Sequence, residues 1–516
     1  MTWWGMRQAP AGSRAASTGW AARLAVAATA AFVLLQLPLL GDPTWRHADE
    51  HHYTDAAVRM LADGDVATPR AADGTPRFHK PLLTYWAIAA SFRAFGVGIA
   101  ASRLPSLLAV VLLAWLAWRT ALVWLDDRVL ALLAVVILLA HPETAQLATR
   151  ATPDALLVCF VTASLLGISR LATAATPPPR AAVLAWTGAG LGVATKGLPG
   201  LLCIAYGLVT LRRDGRSRWL LRPAAMALGA GLAMAGTAPA WLEHGTAAVT
   251  GLHADQVGTR RIVRAFDAAV RSAGHEIGSM ALAFLPWTAL LALRGRATVA
   301  AARRAAAVTR FTLGWTALLL LLSTLLAFRR PRYVAPAIPL LAVTCAGLVA
   351  GVARRLRPAA AIAPAATLLA LGLGWMLAGG LFRAVVRPAL CESAAPELMA
   401  CLDAAGADGA GAVAVGDTAS HVASDLRLVS RGRLDLASVR GPRALAQHEP
   451  SPPMIVAGGD VAPTLEQQGW LLRPCGREVR FRWTLREVLD LARTRDRQRL
   501  LAARARTVFV ATPRVP

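Results

Sequence analysis

Apolar runs alternate with short polar segments along roughly the first three-quarters of this 516-residue chain. Runs at 21–40, 104–124, 129–146, 154–170, 181–195, 198–211, 223–241, 277–293, 311–328, 334–352 and 359–382 predict helices that cross a bilayer, several of them short for a span. A further run, 82–96, is brief and interrupted by Arg93, so it is expected to lie along or dip into the membrane. The first run follows an arginine-bearing head but lacks a small-residue cleavage site, so it is read as a span rather than a signal peptide. After residue 383 the pattern changes. Short apolar runs at 412–415, 454–456 and 507–510 predict strands, and 485–504 predicts a charged helix. The expected architecture is an α-helical polytopic membrane protein, 1–383, followed by a small α/β domain, 384–516.

Composition agrees. Hydrophobic residues make up 56% and charged residues only 16%, less charge than a soluble domain of this length carries. The net charge of +25 first suggests nucleic acid. Its arginines instead form short clusters between apolar runs, with no basic stripe or aromatic platform, so nucleic acid is excluded as a partner. Under the positive-inside rule, the clusters at 1–23, 212–222, 294–310 and 354–357 face the cytoplasm. Eleven crossings then place 41–103, 147–153, Lys196, 242–276, 329–333 and the tail on the opposite side. The Arg-Arg-Pro-Arg-Tyr segment at 329–333 is basic on the wrong side for that rule, which points to an anion bound there.

The loop 41–103 concentrates chemistry. Residues 42–86 hold seven carboxylates, four of the ten histidines and Lys80, one of only two lysines. Asp49 and Glu50 follow the first span closely. Paired carboxylates at a membrane face can serve as a general base or hold a metal, or form a merely solvated loop. His47, His51 and His52 flank them and suit a metal site or a solvated cluster equally. Lys80 precedes Pro81 at a helix start, where an ammonium and free N–H groups together suit a phosphate; snorkelling at the lipid interface is the plainer reading. Arg150 and Asp154, four apart, share a helix face if the fourth span begins early enough, as an ion pair or as part of a site. Lys196 sits in a turn on the same side, facing water or the site. Asp255, Arg260, Arg261, Arg264, His275 and Glu276 add charge to loop 242–276. Cys159, Cys203 and Cys345 read as packing residues, and in a tail outside the cytoplasm Cys391 can pair with Cys401. All candidates fall on one membrane face. Carboxylates with several cations there suggest handling of a lipid phosphate and an activated group.

These residues carry a resemblance. Asp49-Glu50-His51-His52-Tyr53, then Lys80-Pro81-Leu82-Leu83-Thr84-Tyr85-Trp86, then Ala101-Ser102-Arg103-Leu104-Pro105-Ser106 resemble the aminoarabinose transferase and protein O-mannosyltransferase superfamily. Arg150 with Asp154, Thr195-Lys196-Gly197, Leu285-Pro286-Trp287 and Arg332-Tyr333 with Pro336 and Pro339 continue the match, which runs from about residue 20 to 350.

The resemblance implies a GT-C fold of about 11 (range 11–13) transmembrane helices. It also implies an inverting transfer of a sugar, such as aminoarabinose or mannose, from a polyprenyl-phosphate carrier to a lipid A, glycan or protein acceptor. The expected setting is the periplasmic face of a bacterial inner membrane. It assigns Asp49, Glu50 and Asp154 to catalysis and Tyr53, Lys80, Tyr85, Arg150, Lys196, Arg260, Arg261, Arg332 and Tyr333 to substrate binding. Donor, acceptor and membrane lipids are the expected partners. A divalent metal on Glu50, His79 and His275 is a candidate cofactor, although His79 stands where the aminoarabinose transferases usually carry glutamate. A carrier-lipid transporter or flippase is the alternative. It would show internal repeats and mid-span ionisable residues, whereas here the charges gather at one face.

Overall fold

The computed structural model describes residues 19–42, 49–71, 74–253, 266–325, 331–356, 362–386, 393–404, 413–415, 419–431, 433–434, 437–439, 455–458, 461–478 and 506–513. The apolar runs become helices, and further helices such as α2 form within the polar segments. In order the helices are α1 (Gly19–Leu40), α2 (Glu50–Asp63), α3 (Leu83–Phe95), α4 (Ile99–Leu125), α5 (Arg128–Ala140), α6 (Pro142–Ala148), α7 (Pro153–Thr173), α8 (Pro179–Lys196) and α9 (Leu202–Arg212). They continue as α10 (Ser217–Leu220), α11 (Pro223–Ala235), α12 (Ala238–His244), α13 (Thr246–His253), α14 (Phe266–Ala283), α15 (Trp287–Leu293), α16 (Gly295–Arg304), α17 (Ala306–Leu325), α18 (Ile338–Leu356) and α19 (Ile362–Leu381).

Among the described residues, six helices are long and apolar enough to cross a membrane, and nine spans result if each sharply bent pair counts as one. This is an integral membrane protein. The bent pairs are α5–α6 (71°), α11–α12 (50°) and α14–α15 (101°). The expected runs 129–146, 223–241 and 277–293 are therefore broken, not straight. The remaining two expected crossings, 181–195 and 198–211, correspond to α8 and to Leu198–Arg212, which fall short of the same length and hydropathy standard. Run 82–96 forms the 13-residue helix α3.

Local chemistry explains the first bend. The Asp127 carboxylate accepts from the backbone N–H of Val129 (2.8 Å) and Leu130 (3.2 Å), capping α5. At the far end His141 leaves helical geometry, and its Nδ1 accepts from the Glu143 N–H at 3.2 Å. Pro142 then starts α6, where its missing N–H costs nothing. Every residue of α5 from Leu130 to Ala140 is buried, so this helix, apolar on all sides, occupies the middle of the bundle. It packs against α1, α4, α18 and α19.

Small residues allow α7, α8 and α11 to approach closely. A Cβ on Gly188 would lie 2.5 Å from the Phe160 carbonyl oxygen, and one on Gly190 would lie 2.2 Å from that of Gly229.

The tail carries α20 (Ala395–Ala404), α21 (Ala419–Val429), α22 (Ala462–Gln467) and a five-stranded mixed sheet. The strands are β1 (Val413–Val415), β2 (Ala437–Val439), β3 (Ile455–Gly458), β4 (Trp470–Glu478) and β5 (Arg506–Pro513), in the order β2-β1-β3-β5-β4. β1 is parallel to β2 and β3, whereas β5 runs antiparallel to β3 and β4. Ala414 joins the apolar cluster on one face of the sheet, while Val413 and Val415 join the cluster on the other, so the centre is covered on both sides. The helix expected at 485–504 lies outside the described residues. The pairing Cys391–Cys401 is corrected: Cys401 on α20 is bonded to Cys475 on β4, with Cα atoms 6.0 Å apart. β4 is amphipathic and interrupted by Pro474, so the short apolar runs did not reveal it.

Candidate active site

The site is built on the junction between α1 and α2. The last carbonyls of α1 have no partners within the helix. Arg103, in the second turn of α4 and fully buried, reaches them: its Nη1 donates to the carbonyls of Leu39 (2.7 Å), Leu40 (3.1 Å) and Asp42 (3.0 Å). Its Nε donates to Glu50 Oε2 at 3.1 Å, an ion pair with both side chains 0% exposed. One arginine thus ties the end of α1 to the start of α2, and Glu50 belongs to that tie. Within the Ala-Ser-Arg-Leu-Pro-Ser motif Arg103 had no assigned role. The usable signal was an arginine one residue before Leu-Pro in an otherwise apolar helix.

Asp49, immediately before α2, faces a different partner. Arg332 Nη2 donates to Asp49 Oδ2 at 2.8 Å, and its Nη1 lies 3.9 Å from Asp154 Oδ2. Asp154 Oδ1 in turn accepts from Lys196 Nζ. Two carboxylates and two cations therefore form an alternating chain, Asp49–Arg332–Asp154–Lys196, drawn from four separate parts of the sequence. Tyr333 lies beneath it, with Lys196 Nζ 5.1 Å from the ring centroid. Burial works against the Arg332 charge, but Asp154 and Asp49 more than offset it, holding the guanidinium well above its ordinary value.

Of the two settings left open for Lys196, water or the site, it lies against the site carboxylate Asp154. It closes α8 and is buried, and Gly197 after it takes a left-handed φ of 79° that turns the chain away. Arg150 and Asp154 do not share a continuous helix, because α6 ends at Ala148 and α7 begins at Pro153. Arg150 donates instead to Gln146 Oε1. Burial lowers the Arg150 pKa, opposed by Glu143, Glu50 and Asp154 nearby. Glu143, which sequence reasoning missed, therefore joins the cluster; a carboxylate just after a His-Pro helix start is the signal that could have found it.

Tyr53 and Tyr85 are both buried, with ring centroids 5.4 Å apart. Burial raises the Tyr53 hydroxyl pKa, and Tyr85, Asp154 and Asp49 push it further, so the phenol stays protonated beside the carboxylates. Burial, with His51 and Arg77, drives the His52 pKa down to about 2, leaving a neutral ring.

Lys80 lines a cavity of about 380 Å3 with apolar walls including Leu82, Met234, Trp241, Val249 and Leu252. The loop is fastened there by Leu82 N–H donating to the Gly236 carbonyl (2.9 Å) and by Thr68 Oγ1 with His244 Nε2 (2.6 Å). Gly236 itself presses on Ala194, one turn before Gly197 at the end of α8: a Cβ on it would lie 2.5 Å from the Ala194 methyl. The cavity wall and the helix end bearing Lys196 are in direct contact.

Arg260, Arg261, Asp255, Arg264 and His47 lie outside the described residues. His79 and His275 are exposed, whereas Glu50 is fully buried on Arg103. Among the described residues no three His, Cys, Asp or Glu side chains come together as metal ligands. With one member buried in an ion pair and two exposed, the candidate trio does not fit a metal.

Comparison with known proteins follows the same lines. Residues 79–242 match the family model of dolichyl-phosphate-mannose-protein mannosyltransferases. An undecaprenyl phosphate-α-4-amino-4-deoxy-L-arabinose arabinosyl transferase of Proteus mirabilis is 28% identical over 190 residues, 35% of this chain and 33% of that protein. The corresponding transferase of Edwardsiella ictaluri is 31% identical over 174 residues, 32% and 30% of the two chains. The match thus spans about a third of the curated relatives' length. The crystal structure of ArnT from Cupriavidus metallidurans bound to undecaprenyl phosphate superimposes with a TM-score of 0.68 at 18% identity, covering 96% of this chain and 98% of that one.

Proposed function

We propose that this chain, which has the GT-C fold of the aminoarabinose transferase and protein O-mannosyltransferase superfamily, is an inverting membrane glycosyltransferase that uses a polyprenyl-phosphate sugar. The relatives named above act on undecaprenyl-phosphate aminoarabinose, and one solved neighbour binds undecaprenyl phosphate. The observation that carries the reading is the alternating chain Asp49–Arg332–Asp154–Lys196 beside an apolar cavity with a lysine at its wall.

Each part has a task. The apolar cavity suits the first isoprene units, and Lys80 suits the phosphate that follows them. As the bond from C1 to the phosphate oxygen lengthens, negative charge grows on the departing polyprenyl phosphate. Lys80, Lys196 and Arg332 stabilise that charge from positions fixed before the reaction begins. Positive charge grows at C1, where Asp49 and Asp154 lie close enough in the network to oppose it. An acceptor hydroxyl passes its proton to Asp49 as it attacks the face opposite the phosphate, giving inversion. A phosphate acceptor, as on lipid A, needs no base, and Asp49 then orients it. Glu50 and Arg103 keep Asp49 in place, and the buried Tyr53 and Tyr85 back the substrate site. Arg150 and the basic residues Arg260 and Arg261 are assigned to the donor's anionic groups.

The setting we infer is the periplasmic face of a bacterial inner membrane. The charge pattern favours it, and the Cys401–Cys475 disulfide in the tail fits an oxidising compartment. The sugar is aminoarabinose, mannose or a similar residue, and the acceptor is lipid A, a glycan or a protein.

The test uses proteoliposomes holding the wild type or Asp49→Asn with a lipid extract from the source cells. Polyprenyl-phosphate sugars are followed by mass spectrometry with acceptor fractions added. Consumption by the wild type and not by the folded variant is expected. Movement of the sugar lipid between leaflets, with no consumption in either sample, would replace this reading with a flippase.

A further inference from the structure

The helix that follows Asp49 is gripped at two points. The first is the Arg103–Glu50 pair on the membrane side. The second comes from the tail, more than 360 residues later in the chain: Arg427 Nη1 on α21 lies 2.6 Å from Asp55 Oδ1, both side chains 1% exposed. Beside this pair, Thr54 Oγ1 and Ser424 Oγ are 3.3 Å apart and buried, with a sequence separation of 370. Leu428 and Val429 extend the contact by packing into the apolar cluster that contains Tyr53, Ala56 and Met60. Asp55 is five residues beyond Glu50, so the two grips fall about one and a half turns apart on one short helix.

A buried ion pair is weak evidence for stability, because desolvation offsets most of its attraction. It does specify geometry, since misplacing either charge leaves the other uncompensated. A tail that only recruited an acceptor would need no buried charge against α2. α21 instead places an arginine on Asp55, a fully buried carboxylate in the middle of α2 that the charge chain of the site does not use.

We propose that Arg427 is a positioning residue for transfer: by docking on Asp55 it fixes α2 between the tail and α4, and so sets where Asp49 meets the acceptor. The inference rests on the reading of Asp49 given above. The tail is then part of the catalytic apparatus rather than an appended module. Donor binding rests mainly on Lys80 and the apolar cavity, which lie off α2, and is touched less than turnover.

The experiment compares full-length wild type, Arg427→Gln, Arg427→Lys, and Arg427→Gln combined with Thr54→Cys/Ser424→Cys, all in proteoliposomes. Transfer kinetics are measured for donor and acceptor, together with amide hydrogen exchange of residues 50–63. For Arg427→Gln we expect kcat to fall about 10²-fold, the scale of an ångström-size misplacement. Donor KM should change less than about twofold, and α2 should exchange faster. Arg427→Lys should recover part of kcat. The oxidised cysteine pair should restore both kcat and α2 protection, which a general folding defect would not allow. Normal kcat with a loosened α2, or a rise in acceptor KM at constant kcat, overturns the inference, the latter in favour of acceptor recruitment. If Arg427→Gln does not fold, Arg427→Lys with and without the cysteine pair decides by the same readings. A wild type that consumes no donor defeats the transferase reading itself. Hydrogen exchange alone then judges whether Arg427 orders α2, and unchanged exchange overturns that too.

Discussion

Replacing Arg103 with leucine should be among the most damaging single changes outside the charge chain. The substitution keeps apolar bulk but removes the guanidinium that pairs with Glu50, in a pair that is 0% exposed on both sides. Breaking such a pair from one side costs about 3–5 kcal/mol, because the remaining charge is stranded. Three carbonyls, those of Leu39, Leu40 and Asp42, also lose the same donor. If two of them find water, the third adds about 1–3 kcal/mol. The expected loss is therefore about 4–8 kcal/mol. At about 2 cal/mol/K of unfolding entropy per residue, 4 kcal/mol lowers the Tm of a chain this long by roughly 4 °C, and by more where helices persist on unfolding. The assay is thermal unfolding in detergent, read by loss of the monodisperse species on size exclusion. Arg103→Leu/Glu50→Leu should recover most of the loss, since the buried pair is then removed as a unit and Glu50 is not left facing an apolar side chain. An Arg103→Leu protein melting within about 1 °C of wild type would refute this account, as would a double variant no better than the single one.

Other outcomes follow from the same structure. Asp154→Asn leaves Lys196 and Arg332 without their shared anion, so phosphate should bind about tenfold more tightly while turnover falls about 10²-fold, read by donor KM and kcat. His52 is neutral in the fold down to about pH 2, whereas an unfolded histidine protonates near 6.5. Stability should therefore fall as pH drops below about 6.5, by up to about 1.4 kcal/mol per unit for this group, and His52→Gln should flatten that slope in a pH series of melts. Gly190→Leu places a side chain where even a Cβ meets the Gly229 carbonyl oxygen at 2.2 Å; forcing α8 and α11 apart should cost about 3 kcal/mol or more, seen as a lower Tm. Cys401→Ser/Cys475→Ser opens a loop of 74 residues and should destabilise the tail by about 2–4 kcal/mol in denaturant melts of the full chain.

The sequence made the apolar helices legible because lipid demands an unbroken apolar stretch. It did not make the bends legible, because these depend on local partners such as the His141 ring accepting from the Glu143 N–H. The residues of the charge chain were each visible as polar exceptions in an apolar chain. Their pairing was not: Asp49 and Arg332 are 283 positions apart, and no period or spacing connects them. Glu50 shows the limit of reading a motif by residue type. Its neighbour meets the site while it meets Arg103, and only the direction of the first turn of α2 separates the two. Arg150 shows the same limit, since a spacing of four means one face only if a helix runs through it. The tail was the least legible part, because its strands are short and its contact with α2 is made by ordinary-looking residues, Asp55 and Arg427.

The position of α5 has a consequence for how the molecule is made. Two of the helices that enclose it, α18 and α19, begin more than 190 residues after it ends. During synthesis α5 must wait in the bilayer with that flank against lipid tails. Every side chain on it therefore has to satisfy two surroundings in succession, hydrocarbon first and protein later. A polar group that would be welcome in the finished bundle, paired across to α18, would have no partner during the wait. The apolarity of α5 from Val129 to Ala140 is thus a requirement of assembly order, and substitutions there should first show themselves as failed membrane insertion, before any defect in the completed bundle.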